Sequence, residues 1–182
     1  MNTTVLVFHP HFDRSRINRA LADAAEGVDG AQVRYLYDLY PDFAVDAASE
    51  QSVLAAADRI VLQFPMYWYS SPALVKQWED DVLTYGWAYG SSGTALHGKE
   101  LLLAVSPGAA AGNYAHDGDY KYLVTELLRP FQATSNLIGT RFVRPFVTAG
   151  SMSIGDEELA ARAGAYAACL ADEHLAALGD YE

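Results

Sequence analysis

Cysteine, basic residues and long apolar runs are all scarce in this 182-residue chain. Cys169 is the one cysteine, so neither an internal disulfide nor a thiolate metal cluster can form. The sequence has 12 Lys and Arg against 23 Asp and Glu, a formal net charge of -11. A chain so acidic offers no basic surface to a phosphate backbone or an anionic membrane. Nucleic acid is therefore not an expected partner.

Targeting and hydrolytic signals are missing as well. The N-terminus, MNTTVLVFHP, has no basic region, and its apolar stretch is too short for a signal peptide or a membrane span, which predicts a cytoplasmic protein. No G-x-S-x-G motif supports a hydrolase. His9 with His11, and His116 with Asp117 and Asp119, lack a recognised metal-ligand spacing, so we expect no metal site.

The chain instead alternates β-branched apolar runs with segments of helical periodicity. Strands are predicted at residues 5–8, 33–37, 59–64, 101–105 and 142–148, the last weakened by Pro145. Helices are predicted from residue 17, through 50–54, over 71–83 with Ser71 as the cap, over 121–132 and over 156–178. This alternation predicts a parallel sheet with helices on both faces, because right-handed crossovers place them there. We expect an α/β, flavodoxin-like fold with a five-stranded parallel sheet, in a single domain over residues 1–182.

Ligands of an open parallel sheet bind beyond the carboxyl ends of its strands, so the loops after strands one, three and four are of interest. The first loop, HPHFDRSRIN, leads into a helix whose free N–H groups suit a phosphate. Ser15, Arg16 and Asn18 can add hydroxyl, guanidinium and amide donors, which would let an acidic chain hold an anionic cofactor. Alternatively, Ser15 only caps the helix and His9 packs at the end of the strand.

The loop after the third strand, PMYWYS, places Tyr67, Trp68 and Tyr69 at the sheet edge. Their faces can line a planar ring system, and the backbone of such a loop can hydrogen-bond the edge of a heteroaromatic ring. A subunit interface is also rich in Tyr and Trp, and the two interpretations are compatible. The loop after the fourth strand, SPGAAAG, has small residues that permit the close approach of a flat ligand.

Four segments, HPHFDRSRIN, LYDLYPDF, DRIVLQFPMYWYSSPALVKQWED and GWAYGSSGTALHGK, together resemble the flavodoxin-like NAD(P)H:quinone oxidoreductases. The resemblance extends to about residue 150 and is nearest to the bacterial branch that contains the ancillary flavoprotein of glutathione-gated potassium-efflux systems. It implies a bound flavin, hydride transfer to it from NADH or NADPH, two-electron reduction of quinones, and a homodimer. FMN is implied in place of FAD, since the chain lacks the extra C-terminal segment of the larger members.

The resemblance also implies roles for individual residues. The matching positions are His9, Ser15, Arg16, Ile17 and Asn18 for the flavin phosphate and ribityl chain, Met66, Tyr67, Trp68 and Tyr69 for the edge of the isoalloxazine ring, and Ser106, Pro107, Gly108 and Ala109 in place of the usual Thr-Thr-Gly-Gly. That last motif departs from the family by losing both threonine hydroxyls and one backbone N–H. Tyr114 matches a tyrosine near the reacting edge of the flavin, where it either handles a proton or only packs on the ligand. Tyr120, rather than His116, falls where some members of the family have a second proton-handling residue.

Two other functions stay open at this point. The chain can be a regulatory ancillary subunit of a potassium-efflux antiporter, which would bring it to the inner face of the membrane through that partner. It can also be an azo or nitro reductase that shares the half-reaction with nicotinamide. No ribose-recognising acid or arginine can be placed in the sequence, so it does not choose between NADH and NADPH.

Overall fold

The computed structural model describes residues 1–180. Its strands are β1 (Thr3–Val7), β2 (Ala31–Tyr35), β3 (Arg59–Pro65), β4 (Glu100–Ser106), β5 (Arg141–Phe142) and β6 (Phe146–Val147). Its helices are α1 (Ile17–Glu26), α2 (Leu36–Leu39), α3 (Ala47–Ala56), α4 (Ala73–Val82), α5 (Val124–Leu127), α6 (Arg129–Ile138) and α7 (Asp156–Ala171). Short 3-10 helices at Phe12–Arg14 and Ala111–Asn113 lie in the loops after β1 and β4.

The sheet is parallel and confirms the expected flavodoxin-like fold. Its strand order is β2-β1-β3-β4-β5, and β6 also pairs with β4. The register pairs Val7 of β1 with Gln63 of β3, and Pro65 of β3 with Ser106 of β4. The carboxyl ends of β1, β3 and β4 are therefore neighbours at one edge of the sheet, where an open α/β fold binds its ligands.

Helices cover both faces of the sheet, as predicted. On one face α1 and α7 bury side chains such as Leu21 and Tyr166 against Val61 of β3. On the other face the apolar residues of α3, α4 and α6 pack on Leu62 and its neighbours, and Trp78 of α4 is among them. Burial on both faces explains why β1, β3 and β4 read as continuous apolar runs and show no alternation.

Several element boundaries differ from prediction in the first half of the chain. The second strand ends at Tyr35 and not at residue 37, because Leu36 begins the single helical turn α2, closed by the N–H of Tyr40 donating to the Leu36 oxygen at 2.9 Å. Helix α3 is longer than residues 50–54, and the side chain of Asp46 caps it. Helix α4 begins at Ala73, after an extended Pro72, so Ser71 is not its cap.

The prediction of one helix over residues 121–132 is wrong, because the structure has two helices there and they begin at Val124 and Arg129. Lys121 has a φ of 62°, which excludes it from a right-handed helix. A single turn, α5, is followed by α6, which carries Pro130 in its first turn and continues to Ile138. Proline is well tolerated in the first turn because the N–H that it lacks has no intrahelical partner there, so Pro130 marks a start.

The C-terminal third also differs from prediction. The strand predicted over 142–148 is interrupted at Pro145 and becomes the two-residue strands β5 and β6, both paired with β4. Helix α7 ends at Ala171 instead of residue 178. Beyond it, Leu178 returns to donate its N–H to the oxygen of Phe142 at 3.0 Å, which covers the edge of the sheet.

The prediction of one domain over 1–182 stays a prediction, and residues 181 and 182 lie outside the described part of the chain. Over residues 1–180, no helix combines the length and the apolar character needed to cross a membrane.

Candidate functional site

Hydrogen bonds join the three loops of interest at the carboxyl edge of the sheet. The N–H of Met66, after β3, donates to the oxygen of Ser106 at the end of β4 at 3.1 Å. The N–H of Phe8, after β1, donates to the oxygen of Gln63 in β3 at 2.8 Å. The side-chain amide of Asn18, in the first turn of α1, donates to Ser106 Oγ at 2.9 Å. The candidate site is thus one continuous surface and not three separate loops.

The phosphate-binding residues predicted after β1 lie at the start of α1. Ser15 Oγ accepts the N–H of Asn18 at 3.1 Å, as a capping residue does. Ile17 is buried among the apolar residues of α1 and α7 that cover this face of the sheet. Arg16 is half exposed and donates to Asp156 Oδ1 at 2.5 Å and to the Ile154 oxygen at 3.1 Å. These contacts fix Arg16 beside the start of α7.

His9 is half-buried where β1 ends. Its pKa is lowered first by burial and then by the nearby His11, while Asp13 opposes the shift. The N–H of His11 donates to His9 Nδ1 at 3.1 Å, which leaves the ring proton of neutral His9 on Nε2. His9 therefore offers a neutral N–H donor at the mouth of the loop.

The aromatic loop after β3 is a tight turn with an unusual backbone. Tyr67 and Ser70 form an antiparallel bridge, closed by the Ser70 N–H on the Tyr67 oxygen at 3.0 Å. Between them, Trp68 and Tyr69 have φ values of 49° and 62°. Two positive φ angles favour Asn-Gly in such a turn, and bulky residues there cost about 1–3 kcal/mol each. Trp68 is nevertheless 94% exposed, whereas Met66 is buried in the core.

The segment formed by Ser106, Pro107, Gly108 and Ala109 begins at the end of β4 beside Met66, whose N–H donates to the Ser106 oxygen. Carbonyl groups of this segment are engaged with the loop after β6: the Pro107 oxygen accepts from Ser151 N at 3.1 Å and the Ala109 oxygen from Gly150 N at 2.8 Å. A Cβ atom at Gly108 would meet nothing closer than 3.9 Å. The nearest atoms to that position are Met152 Sδ at 3.9 Å and Ser151 Oγ at 4.0 Å, so the loop after β6 lies in ordinary van der Waals range of it.

A tyrosine cluster closes the third side of the site. The rings of Tyr114 and Tyr120 lie 5.1 Å apart, and those of Tyr120 and Tyr69 lie 5.6 Å apart. Tyr114 is buried, and this burial raises the pKa of its hydroxyl, while a hydrogen bond from the main chain of Ala109 acts in the opposite direction. The structure thus places Tyr120 in contact with both Tyr69 of the aromatic turn and Tyr114.

Gln63 is the site residue that sequence reasoning missed. It is fully buried in β3, and its Nε2 donates to the main-chain oxygen of Asn18 at 2.9 Å. The acceptor atoms Gln63 Oε1 and Asn18 Oδ1 are both buried without a hydrogen-bond partner. The available signal was a glutamine inside the apolar run RIVLQFP, because a buried polar side chain is retained only where it has a partner.

His116, which the sequence analysis considered as a metal ligand, pairs with a carboxylate. His116 Nε2 lies 3.0 Å from both carboxylate oxygens of Glu126, at the start of α5. The N–H of Leu123 and this histidine lower the pKa of Glu126, in that order of importance. Within residues 1–180, no group of three or more His, Cys, Asp and Glu side chains could hold a metal ion.

Comparison with known proteins shows close similarity over nearly the whole chain. Residues 1–170 match the model of a family described as having a flavodoxin-like fold. The uncharacterized NAD(P)H oxidoreductase YrkL of Bacillus subtilis is 50% identical over 159 residues, which cover 87% of this chain and 91% of that protein. The glutathione-regulated potassium-efflux system ancillary protein KefF of Salmonella schwarzengrund is 42% identical over 162 residues, covering 89% and 91%.

Two solved structures are similar over comparable lengths. The general stress protein 14 of Treponema denticola, in complex with FMN, has a TM-score of 0.89 and 40% identity, covering 93% of this chain and 98% of that chain. A structure described as a thermophilic tryptophan halogenase from Streptomycin violaceusniger has a TM-score of 0.92 and 49% identity, covering 94% and 99%. The relatives confirm the family resemblance that the four sequence segments predicted.

Proposed function

Because the chain belongs to the family with the flavodoxin-like fold, we propose that it is an FMN-dependent NAD(P)H:quinone oxidoreductase. The observation that carries the proposal is the hydrogen-bonded junction of three loops at one edge of the sheet, which includes an exposed aromatic turn. Relatives named as NAD(P)H oxidoreductases and a structural neighbour in complex with FMN support it.

The residues of the site fit an FMN molecule. Buried and unpaired acceptors are rare in folded proteins, and Asn18 Oδ1 and Gln63 Oε1 are two such atoms on residues that hydrogen-bond each other. The ribityl chain of FMN carries hydroxyl donors that suit such acceptors. Trp68 and Tyr69 hold a strained backbone at the same edge, and strain of this kind is concentrated at functional sites.

Neutral donors and one arginine would hold the phosphate. The first turn of α1 has backbone N–H groups that lack intrahelical partners, and its positive dipole end favours an anion. Ser15, Arg16 and His9 flank this turn. Because the backbone N–H groups and the dipole of α1 would supply most of the binding, a chain with a net charge of -11 could retain a dianionic phosphate.

Residues 66–69 and 106–109 would hold the ring of the cofactor from opposite sides. FMN, when bound, accepts a hydride from nicotinamide and delivers two electrons to an acceptor. The protein would orient the ring through backbone groups, exclude water with the tyrosine cluster, and offset negative charge with the start of α1. Tyr114 would donate a hydrogen bond or a proton from its hydroxyl, with Tyr120 packed against it.

Spectroscopy and kinetics test the proposal together. We expect the purified protein to show flavin absorbance, or to take up one FMN per chain on titration, and then to oxidise NADH or NADPH in the presence of a quinone. Assays with each nicotinamide against quinones, an azo dye and a nitroaromatic compound identify the preferred acceptor. Absence of flavin absorbance together with no FMN uptake would refute the assignment.

Similarity to KefF supports a second candidate function. In it the protein is an ancillary subunit of a potassium-efflux antiporter, located at the inner face of the membrane through that partner and otherwise cytoplasmic. Co-purification with the antiporter, compared with quinone reductase turnover, separates the two candidates. A variant that loses turnover but still activates potassium efflux would place the regulatory function first.

We also propose that the protein is a homodimer. The aromatic turn and the groove between α4 and α6 form a surface with exposed Trp68, Tyr85 and Leu137, and monomers seldom expose so many large apolar groups. Light scattering coupled to gel filtration tests this, and a monomeric mass at micromolar concentration would contradict it.

A further inference from the structure

Asn18 is held from three directions. Its N–H donates to Ser15 Oγ at 3.1 Å, its side-chain amide donates to Ser106 Oγ at 2.9 Å, and its main-chain oxygen accepts from Gln63 Nε2 at 2.9 Å. These bonds connect α1, β3 and β4. Two of the bonds fix the main chain of Asn18 and the third fixes its side chain, as a preorganised binding group needs.

Gln63 differs from its neighbours in β3 because it is polar and fully buried in a sheet that is otherwise apolar at this level. Its orientation is unambiguous, since the main-chain oxygen of Asn18 can only accept, so the amide nitrogen and not the oxygen of Gln63 must face it. The amide oxygen is then left buried and without a hydrogen-bond partner, as is Asn18 Oδ1.

An arrangement of this kind is costly for stability alone. A buried acceptor without a partner destabilises the folded state by about 1–3 kcal/mol, and an apolar residue of similar size at position 63 would avoid that cost. Stability alone therefore does not explain a glutamine at this position, whereas its bond to the main-chain oxygen of Asn18 gives it a role.

We propose that Gln63 is a positioning residue for FMN: by fixing the main chain of Asn18, it holds Asn18 in the orientation that binds the ribityl and phosphate part of the cofactor. The inference rests on the proposed function. According to it, Gln63 does not contact FMN; it is buried in β3 and affects FMN affinity through Asn18, which makes the contact.

The experiment compares two buried glutamines. Gln63→Met removes the donor and keeps the length of the side chain. Gln132→Met does the same on α6, where Gln132 is also buried and donates to the main-chain oxygens of Leu178 and Gly179 at 3.1 and 3.2 Å. We expect Gln63→Met to raise the FMN dissociation constant of the apoprotein about tenfold or more, and Gln132→Met to change it less than about twofold.

A second variant covers the case in which Gln63→Met does not fold. In Gln63→Glu the ionised carboxylate cannot donate to the Asn18 oxygen, but the protonated acid can. We expect the FMN affinity of this variant to recover towards the wild-type value as the pH falls from 8 to about 5, relative to wild type at each pH. A purely structural role for Gln63 would produce no such recovery.

The outcomes separate the inference from the proposed function. Failure of the wild-type apoprotein to take up FMN overturns both. FMN uptake by wild type, with an unchanged dissociation constant in Gln63→Met, overturns only the role of Gln63. Equal weakening by Gln63→Met and Gln132→Met also overturns it, since the loss would then follow from reduced stability. If Gln63→Met does not fold, a pH-independent deficit in Gln63→Glu has the same consequence.

Discussion

Arg59 donates from Nε to Glu100 Oε2 at 2.6 Å, and the two residues are register partners at the starts of β3 and β4. The guanidinium group also donates to the oxygens of Leu170 and Asp172 at 2.8 and 2.5 Å, at the end of α7. Arg141 binds the other oxygen of Glu100. At the amino ends of β3 and β4, charged side chains thus connect the sheet to the end of α7. The candidate site lies at the opposite, carboxyl edge of the sheet.

Arg59→Met should therefore destabilise the protein without affecting the site. It leaves the nearly buried carboxylate of Glu100 with one partner in place of two and removes the donors that end α7. Breaking a buried ion pair costs about 3–5 kcal/mol, which urea unfolding measures. FMN affinity at a temperature well below the transition should stay at the wild-type value.

Lys76→Met is the control for this substitution. Lys76 pairs with Asp80 on the exposed side of α4, and such pairs contribute about 0.3–0.5 kcal/mol. If Arg59→Met were as mild as Lys76→Met, the buried cluster would not hold α7 in place.

Sequence patterns could predict the sheet and the edge at which the site lies, and the reason is physical. Strands buried on both faces must be apolar, as β1, β3 and β4 are, and helical crossovers force them to be parallel. The carboxyl ends then lie together whatever the details of the loops, so Asn18, Trp68 and Gly108 could be assigned to one edge from the sequence.

Gln63 and the ends of the later elements could not be predicted in the same way. The bond between Asn18 and Ser106 joins residues 88 positions apart, and no local pattern encodes it. Pro130 can end a helix or begin one, and tertiary packing of α6 decides which. The end of α7 depends on Arg59, whose side chain reaches its last carbonyl groups from a distant strand.

Substitutions at Trp68 should separate stability from cofactor binding. Trp68→Ala and Trp68→Asn both remove an exposed ring, so each should weaken FMN retention about tenfold, the loss expected for one aromatic contact. Asparagine adopts a positive φ more readily than alanine, so Trp68→Asn should be more stable than Trp68→Ala by about 0.5–1 kcal/mol. Equilibrium dialysis of FMN and thermal unfolding measure the two quantities.

Leu39→Ala serves as the control for Trp68, because Leu39 is 48% exposed but lies in α2, outside the three loops. It should leave FMN retention unchanged. Wild-type retention in Trp68→Ala would count against the aromatic turn as part of the binding site.

Tyr114→Phe should distinguish proton handling from simple packing. The phenyl ring keeps the contact with Tyr120 and loses only the hydroxyl. If that hydroxyl supplies a proton or hydrogen bond, turnover with quinone should fall about 100-fold while FMN affinity stays within about twofold. Stopped-flow measurement of each half-reaction shows where the loss occurs.

Tyr122→Phe is the matched control, since Tyr122 is 58% exposed in the same loop. Unchanged turnover in both variants would assign Tyr114 to packing alone.

Glu79 should make the stability of the protein depend on pH. It lies half-buried between α4 and α6, and this burial raises the pKa of its carboxyl to about 7; Lys76 opposes the shift and Asp80 adds to it. The folded protein therefore binds this proton more tightly than the unfolded chain does, where the pKa is 4.5. By linkage, the contribution of Glu79 to stability declines as the pH rises from about 4.5 to about 7 and stays low above that.

Glu79→Gln should remove this decline, because the amide is neutral throughout. In urea unfolding, the variant should gain stability over wild type at pH 8 and lose that advantage at pH 4. Asp29→Asn removes one negative charge at an exposed position and should reproduce neither effect, which separates the burial of Glu79 from the general reduction of an excess negative charge. Parallel pH profiles for wild type and Glu79→Gln would show that the groove admits enough water to keep the carboxylate ionised at neutral pH.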